Sequence, residues 1–461
     1  MKKALLTILV LTIFVNSWAT KFYVDPLAGG TNSGTLANPW LSVSAINQSL
    51  IQPGDSLLFR TDRTYTSGQI NFTRSGTAGN FITISTYGGG TKPLFWGNGS
   101  TLTSLFYLNN RSWVIIDGLN ITDTTISSSD RSVLSKIQRA VYLDGTTSNV
   151  IIRNCNFDRV GLCAFFVGGS NYFTQNQVQN LRMIVNDVSP DNDYGANGVV
   201  VSSNNNVISY NSLVGCWATS IDYGYDGGAV EFFGSCSNNQ VIYNYIYDCL
   251  GVCEFGSSGG GTTQYTRIGY NVIINSGGSY CNMSGTFATQ VKNIQYYNNV
   301  MLDSANRWGE TYFFSYGGTA TYDTVFDLRN NIFYSRTGLR VKGGSWPAAK
   351  ITHINNVYNI TGGGTIGYTT NPGEITSTVN NWVKGNNPMP FWDFNLVPTA
   401  PAANTGASLG GLFYADYYGT VIGTTVSIGV SQFVVTPTPP PSTNIMVIKS
   451  FYNRMILKPA G

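Results

Sequence analysis

The chain carries one histidine, His353, among 461 residues, and only 11% of its residues are charged. Chemistry built on histidine is therefore not expected, and Asp, Glu, Lys, Arg and Tyr are the candidates for general acid, base and ligand. Basic stripes are missing too. The formal net charge is +3 with no clustered Lys or Arg, which argues against a nucleic-acid partner. No segment beyond the N-terminus approaches transmembrane length, so no membrane span is expected, and no stretch shows a helical period.

The N-terminus, "MKKALLTILVLTIFVNSWATKF", joins Lys2 and Lys3 to an apolar stretch over 4–15 and to small residues at Ser17 and Ala19. It reads as a secretory signal over 1–19, too short and wrongly flanked for a membrane span. Export to the extracellular space or cell surface is the expectation. Seven cysteines (Cys155, Cys163, Cys216, Cys236, Cys249, Cys253 and Cys281) could oxidise there, but the odd number leaves at least one unpaired. Buried small residues are the simpler reading.

What is present is glycine, with 52 residues, and tyrosine, with 28, in a chain that is 42% hydrophobic. Much of it repeats. "YFTQNQV", "VISYNSL", "VIYNYI", "RIGYNVI", "IQYYNNV", "FDLRNNI" and "ITHINNV" align Asn176, Asn211, Asn244, Asn271, Asn298, Asn330 and Asn355 at intervals of 35, 33, 27, 27, 32 and 25 residues. Before the copies come short β-rich runs ending in Gly or Ser, such as "AVYLDG", "VVVSS", "AVEFFG" and "CNMSG". Short strands punctuated by Gly and Asn, repeating at this period, predict stacked units that bury their faces on one another. The intervals are too short for propeller blades of about 40–50 residues. The pattern predicts an all-β, single-stranded parallel β-helix of roughly 22–36 residues per coil over 20–431, with the asparagines as an internal ladder. A Pro/Thr-rich linker over 432–444 and a short tail over 445–461 follow.

Three stretches carry a resemblance. "KFYVDPLAGGTNSGTLANPW", "GNFITISTYGGGTKPLFWG" and "DFNLVPTAPAANTGASLG" are similar to the entrance, first coils and closing segment of secreted right-handed parallel β-helix proteins of the pectate-lyase-like group. The resemblance covers about residues 21–431 and implies the right-handed fold. The group contains polysaccharide lyases, glycosidases, epimerases and inactive members, so the fold leaves the chemistry open.

Two acids stand out. In "GAVEFFGSCSNNQVIYNYIYDCLGVCEFG", Glu231 and Glu254 occupy the same Gly-x-x-Glu-Phe phrase, 23 residues apart. Strand alternation sends Val230, Phe232, Cys253 and Phe255 inward and both carboxylates outward, and one coil of about 4.8 Å makes them stacked neighbours. Carboxylates about 5 Å apart repel by roughly 3 kcal/mol at an effective dielectric near 20, so a cation, a base or a raised pKa must offset them. The alternative is that both point into water. The outward row is expected to continue through Asn282 and Tyr312, Phe314 or Tyr316 to Arg340 and Lys342, about 19 Å away at four coil spacings. The long loops before it supply Asp187, Asp191, Asp193, Asp222 and Asp226 as candidate calcium ligands. They also hold Trp217, Tyr223 and Tyr225, candidate sugar-binding rings together with Asn282, Tyr312 and Phe314 of the row. Turn-forming Asp beside Gly is the plainer account of those acids. His353 is expected to be structural, since the matching positions of other copies include Ile152, Ser209 and Leu328.

The leading expectation is a monomeric, secreted polysaccharide lyase that cleaves an acidic glycan by β-elimination. By the resemblance, Arg340 or Lys342 would serve as base or neutraliser, while Asp222, Asp226, Glu231 and Glu254 hold a Ca2+ ion. A glycoside hydrolase using the paired carboxylates is the second expectation, and a non-catalytic surface or adhesion solenoid the third.

Overall fold

A computed structural model describes residues 19–433 except 186–194, 222, 257–260, 282–288, 310–311, 317–322, 345, 379–392 and 398. The signal segment but for Ala19, the linker but for its first two residues, the tail, and the candidates Asn282, Asp187, Asp191, Asp193 and Asp222 lie outside the described residues.

Each coil of the chain lays one short strand on each of three parallel sheets. Arg139–Asp144, Ser148–Arg153 and Asn156–Asp158 form one coil, and Leu162–Phe166, Tyr172–Thr174 and Gln177–Gln179 form the next. Repetition builds a 12-stranded sheet I starting at Lys21–Val24, an 11-stranded sheet II and a 12-stranded sheet III. One of the eleven strands of sheet II, Ala218–Ser220, pairs antiparallel at its side, and the other ten run parallel. Among the described residues there is no α-helix, only 3-10 turns such as Val43–Ala45. This is the parallel β-helix that the repeats predict.

The repeats stack like upon like. Ile116, Ile152, Phe173, Ile208, Val241, Ile268, Tyr296 and Leu328 succeed one another in register along sheet I, all buried, and His353 ends the row. Its Nδ1 lies 2.8 Å from Glu374 Oε2 and its ring 4.3 Å from that of Tyr368, so it closes the last coil. On sheet II, Phe232 stacks on Phe255 at 5.3 Å. Six cysteines (Cys155, Cys163, Cys216, Cys236, Cys249 and Cys253) are free and buried among these rows, as small apolar residues.

The turn from sheet I to sheet III explains the asparagines. Its first residue adopts a left-handed conformation, φ 58° at Gln175 and 56° at Tyr210, and the next turns its side chain inward. That side chain is Asn176, Asn211, Asn244 or Asn271, and each accepts from the backbone N–H one coil earlier at 2.8–3.0 Å. The ladder then continues through Asn299, Asn331 and Asn356, not through the expected Asn298, Asn330 and Asn355, which occupy the left-handed position. Where two asparagines adjoin, the first makes the turn and the second makes the ladder. It ends at Glu374, whose Oε1 accepts from Asn356 Nδ2 at 2.8 Å.

The segment 393–433 does not close the end of the helix, as the resemblance implied. Phe394, Leu396, Ile428 and Val430 pack on the outer face of sheet III over Val272, Ile274, Val300, Leu302 and Ile332. Asn298 Nδ2 ties this strap down by donating to the carbonyls of Ser427 and Gly429 at 2.8 and 2.9 Å.

Candidate functional site

Glu231 lies on strand Gly224–Phe233 and Glu254 on the neighbouring strand Cys253–Gly256, directly opposite each other in the ladder. Their flanking residues Val230, Phe232, Cys253 and Phe255 are fully buried, so the pleat turns both carboxylates to the outer face of sheet II. The stacked pair is therefore in place.

The surroundings hold protons on it. On its other side Glu231 is in register with Val200, which packs with Leu162 and Ile184 in a small apolar cluster. Burial, and then the Asp226 carboxylate, raise the Glu231 pKa to about 7. Burial, and then Glu231 itself, raise Glu254 to about 8. Glu231 Oε2 accepts from Asn197 Nδ2 at 2.8 Å, while the buried Oδ1 of Asn197 has no hydrogen-bond partner among the described residues. Near neutrality the pair carries both a proton and a charge, with the proton favouring Glu254.

Beside the acids runs a floor of bare backbone. Gly228 lies in register with Asn197, and the carbonyls of Gly251 and Gly278 accept from Ala229 and Val252 on the coils beneath. Gly228 and Gly251 raise no side chain to bar a ligand, whereas the Cβ position of Gly278 is taken by the Phe313 backbone. Where the floor ends, Trp308, Arg307 and Tyr312 line a cleft with Gly277 and Gly278. Trp217, Tyr225 and Trp308 meet edge to face with ring centroids 5.1–5.7 Å apart. The Arg307 guanidinium sits over Trp308 at 4.3 Å and Trp217 at 5.0 Å, with Nε on Asp248 at 3.2 Å. Arg307 lines the cleft, and among the described residues its terminal nitrogens make no hydrogen bond.

Several sequence candidates take other places. Trp217 is no free platform: Arg131 lies over its ring at 4.4 Å and Arg307 at 5.0 Å, and its Nε1 donates to Asp248, so it positions Arg307. Tyr223 and Tyr225 are exposed on the hairpin beside Asp226. Phe314 is wholly buried in the core and cannot meet a sugar. The residue in register with Glu254 on the next coil is Tyr280, not Asn282, and Ser315 follows it. Lys342 is buried, donates from Nζ to Gly344 O at 3.1 Å and lies over Trp346, which takes it out of the row. Arg340 is exposed and pairs in register with Tyr312, four strands from Glu231. Of the acidic loop residues only Asp226 is described, and no three His, Cys, Asp or Glu side chains among the described residues are arranged to hold a metal ion. Asn197 and Trp308 were missed, and Arg307, near the row in sequence, had nothing in the sequence to place it in the cleft. The repeated Gly two to three residues before each Val-Glu or Cys-Glu was the available signal for the floor.

No protein-family model matches the chain. No curated protein matches it in sequence. Among solved structures, pectate lyase Pel9A superposes with a TM-score of 0.57 at 14% identity, over 90% of this chain and 97% of that one. XylC in complex with xylose gives a TM-score of 0.52 at 11% identity, over 90% and 98%. The alginate lyase AlyGC gives 0.44 at 13% identity, over 87% of this chain and 59% of its own. Within the described residues no helix is long and apolar enough to cross a membrane. At these identities the likeness is one of fold: the chain is a parallel β-helix like pectate lyase Pel9A.

Proposed function

We propose that the protein is a secreted enzyme that cleaves a polysaccharide on the outer face of sheet II, with Glu231 and Glu254 as the reacting pair. The observation that carries this reading is their register: two half-buried carboxylates face each other across one coil, with pKa values raised to about 7 and about 8. Paired carboxyls pushed to different values divide naturally into a base or nucleophile and an acid. Glu231, the more acidic and supported by the Asn197 amide, is the nucleophile, and Glu254 is the proton donor. A strand spacing of about 4.8 Å lies near the 5–5.5 Å separation of retaining glycoside hydrolases, so hydrolysis with retention is the favoured chemistry. Arg307, Trp308 and Tyr312 would hold the sugar beyond the glycine floor. This order reverses the sequence-based one for a physical reason: Lys342 is tied away, and Arg340 lies about 19 Å from Glu231 at 4.8 Å per coil.

The orphaned Oδ1 of Asn197 beside Glu231 and Asp226 favours a second reading, calcium-assisted β-elimination of a uronate glycan. Those oxygens suit a hard cation, and a calcium ion there would neutralise the uronate carboxylate. Digestion of neutral and uronate glycans, with and without chelator, tests both. A saturated product with retained anomeric configuration supports hydrolysis, and an unsaturated, ultraviolet-absorbing product abolished by chelator supports elimination. In either case Glu254→Gln lowers kcat by about 10²–10⁴-fold. Cleavage of no glycan by the parent protein would leave only a binding solenoid.

A further inference from the structure

The outer face of sheet III is divided in two. From Tyr245 onward it is apolar and lies under the 393–433 strap. Before that point it is open and more polar, with Leu94, Trp96 and Val214 among its residues. Asn120, Asn156 and Gln177 stand in register on three successive strands, and Thr122, Asp158 and Gln179 stand in register two residues further on. Together they line a cleft of about 280 Å3.

One wall of the cleft is the loop 123–137, held by hydrogen bonds from Arg159 Nη1 to Ile126 O at 3.0 Å and from Arg182 Nη2 to Ser127 O at 2.6 Å. The two charged residues of the cleft lining, Asp158 and Arg159, offset each other. Arg159 pairs with Asp158 at 2.8 Å, and the nearby Lys92 Nζ donates to Asn156 Oδ1 at 3.0 Å. Among the described residues the side-chain amides of Gln177 and Gln179, and the Nδ2 groups of Asn120 and Asn156, bond to no protein atom. Each carboxamide offers a donor and an acceptor side by side, the arrangement that answers adjacent sugar hydroxyls. They recur at about 4.8 Å along the helix axis, close to the length of one sugar ring.

We infer that this cleft is a second carbohydrate site, separate from the acid pair, which takes a stretch of neutral oligosaccharide laid along the coils. Compensated charge and unbonded amides favour an uncharged chain over an anionic one, which would need free cations in the lining. Such a site anchors a polymer while the acids on another sheet act elsewhere on it. The ligand class rests on the carbohydrate reading above, whereas the cleft and its amides do not.

The test uses the full chain carrying Glu231→Gln, to prevent turnover, with xylohexaose, cellohexaose and mannohexaose as probes in carbene footprinting. At least one probe is expected to protect 120–122, 156–158 and 177–179. Adding Gln177→Ala and Gln179→Ala, whose side chains make no hydrogen bond among the described residues, is expected to weaken that protection at least tenfold with little change in the unfolding midpoint. Protection only around Glu254, or protection of the cleft that the double alanine change does not weaken, overturns the second site while leaving the proposed activity standing. Cleft protection with no cleavage by the parent protein does the reverse. Absence of protection at either place by all three probes overturns the inference.

Discussion

Glu231 and Glu254 sit where burial and repulsion act in the same direction. Both effects make the folded protein bind protons more tightly than the unfolded chain, in which each carboxyl titrates near 4.5. Below that value both are protonated in either state, and the pair adds no penalty. As pH climbs through about 7 and about 8 the folded state must ionise two facing groups, so stability is lost on the alkaline side. Glu254→Gln removes one of those charges while keeping the shape. Its unfolding midpoint should match the parent at pH 4.5 and exceed it by a few degrees at pH 8, reflecting a difference on the order of 1–3 kcal/mol. Equal midpoints at both pH values would show that the pair is solvated and the raised values wrong. Asn197 bears on the same balance. Asn197→Ala takes away the amide donor to Glu231 and leaves Glu231 less willing to ionise, so the acidic limb of the activity profile should move to higher pH.

At the scale of the element, the ladder turn shows what periodicity reveals and what it hides. "YNNV", "RNNI" and "INNV" hold two asparagines each, and spacing alone does not say which one makes the left-handed turn and which points inward. The Glu pair was legible because two-residue alternation holds on both sides of it and one coil fits between the acids. Alternation fails elsewhere on sheet II. Ala140 with Val141, Cys163 with Ala164, Ala229 with Val230, and Phe313 with Phe314 are neighbours that both enter the core. That break turns Asn197 outward and Phe314 inward, against a simple count. Arg307 and Trp308 come from a loop, where no period applies. The ladder itself makes a firm prediction. Asn271 Oδ1 accepts from the Asn244 N–H at 2.8 Å, and its Nδ2 donates to Val241 O at 2.8 Å. Asn271→Ala leaves both buried groups unpaired, a loss of about 2–4 kcal/mol. Hydrogen exchange at the Asn244 amide should then accelerate by at least tenfold, with amides in the first coils unchanged. Uniform acceleration along the chain would contradict a local ladder.

Across the whole molecule, a stack of coils has no closed core, so its stability depends on what covers its faces and ends. Each coil contacts only the coils beside it, and such arrays unfold by losing units from the weakest region. The strap 393–433 covers the outer face of sheet III only over the later coils, where Val272, Ile274, Val300, Leu302, Ile332 and Tyr334 form a continuous apolar strip. The earlier coils show mostly polar residues there, with Leu94, Trp96 and Val214 as exceptions, and lie outside the strap. Both halves thus follow from one rule, that a sheet face is apolar where chain packs on it and polar where it meets water. Truncation after residue 392 uncovers that strip. The shortened protein should bind a hydrophobic dye and self-associate. Exchange protection should fall in strands from Val272–Ile274 onward, while Ser148–Arg153, Asn156–Asp158 and Leu162–Phe166 stay close to the full chain. The acid pair lies between these regions, so its pH-dependent shift in midpoint should weaken without vanishing. Loss of protection in the first coils to the same extent would mean that the solenoid folds as one cooperative block and that the strap supports all of it.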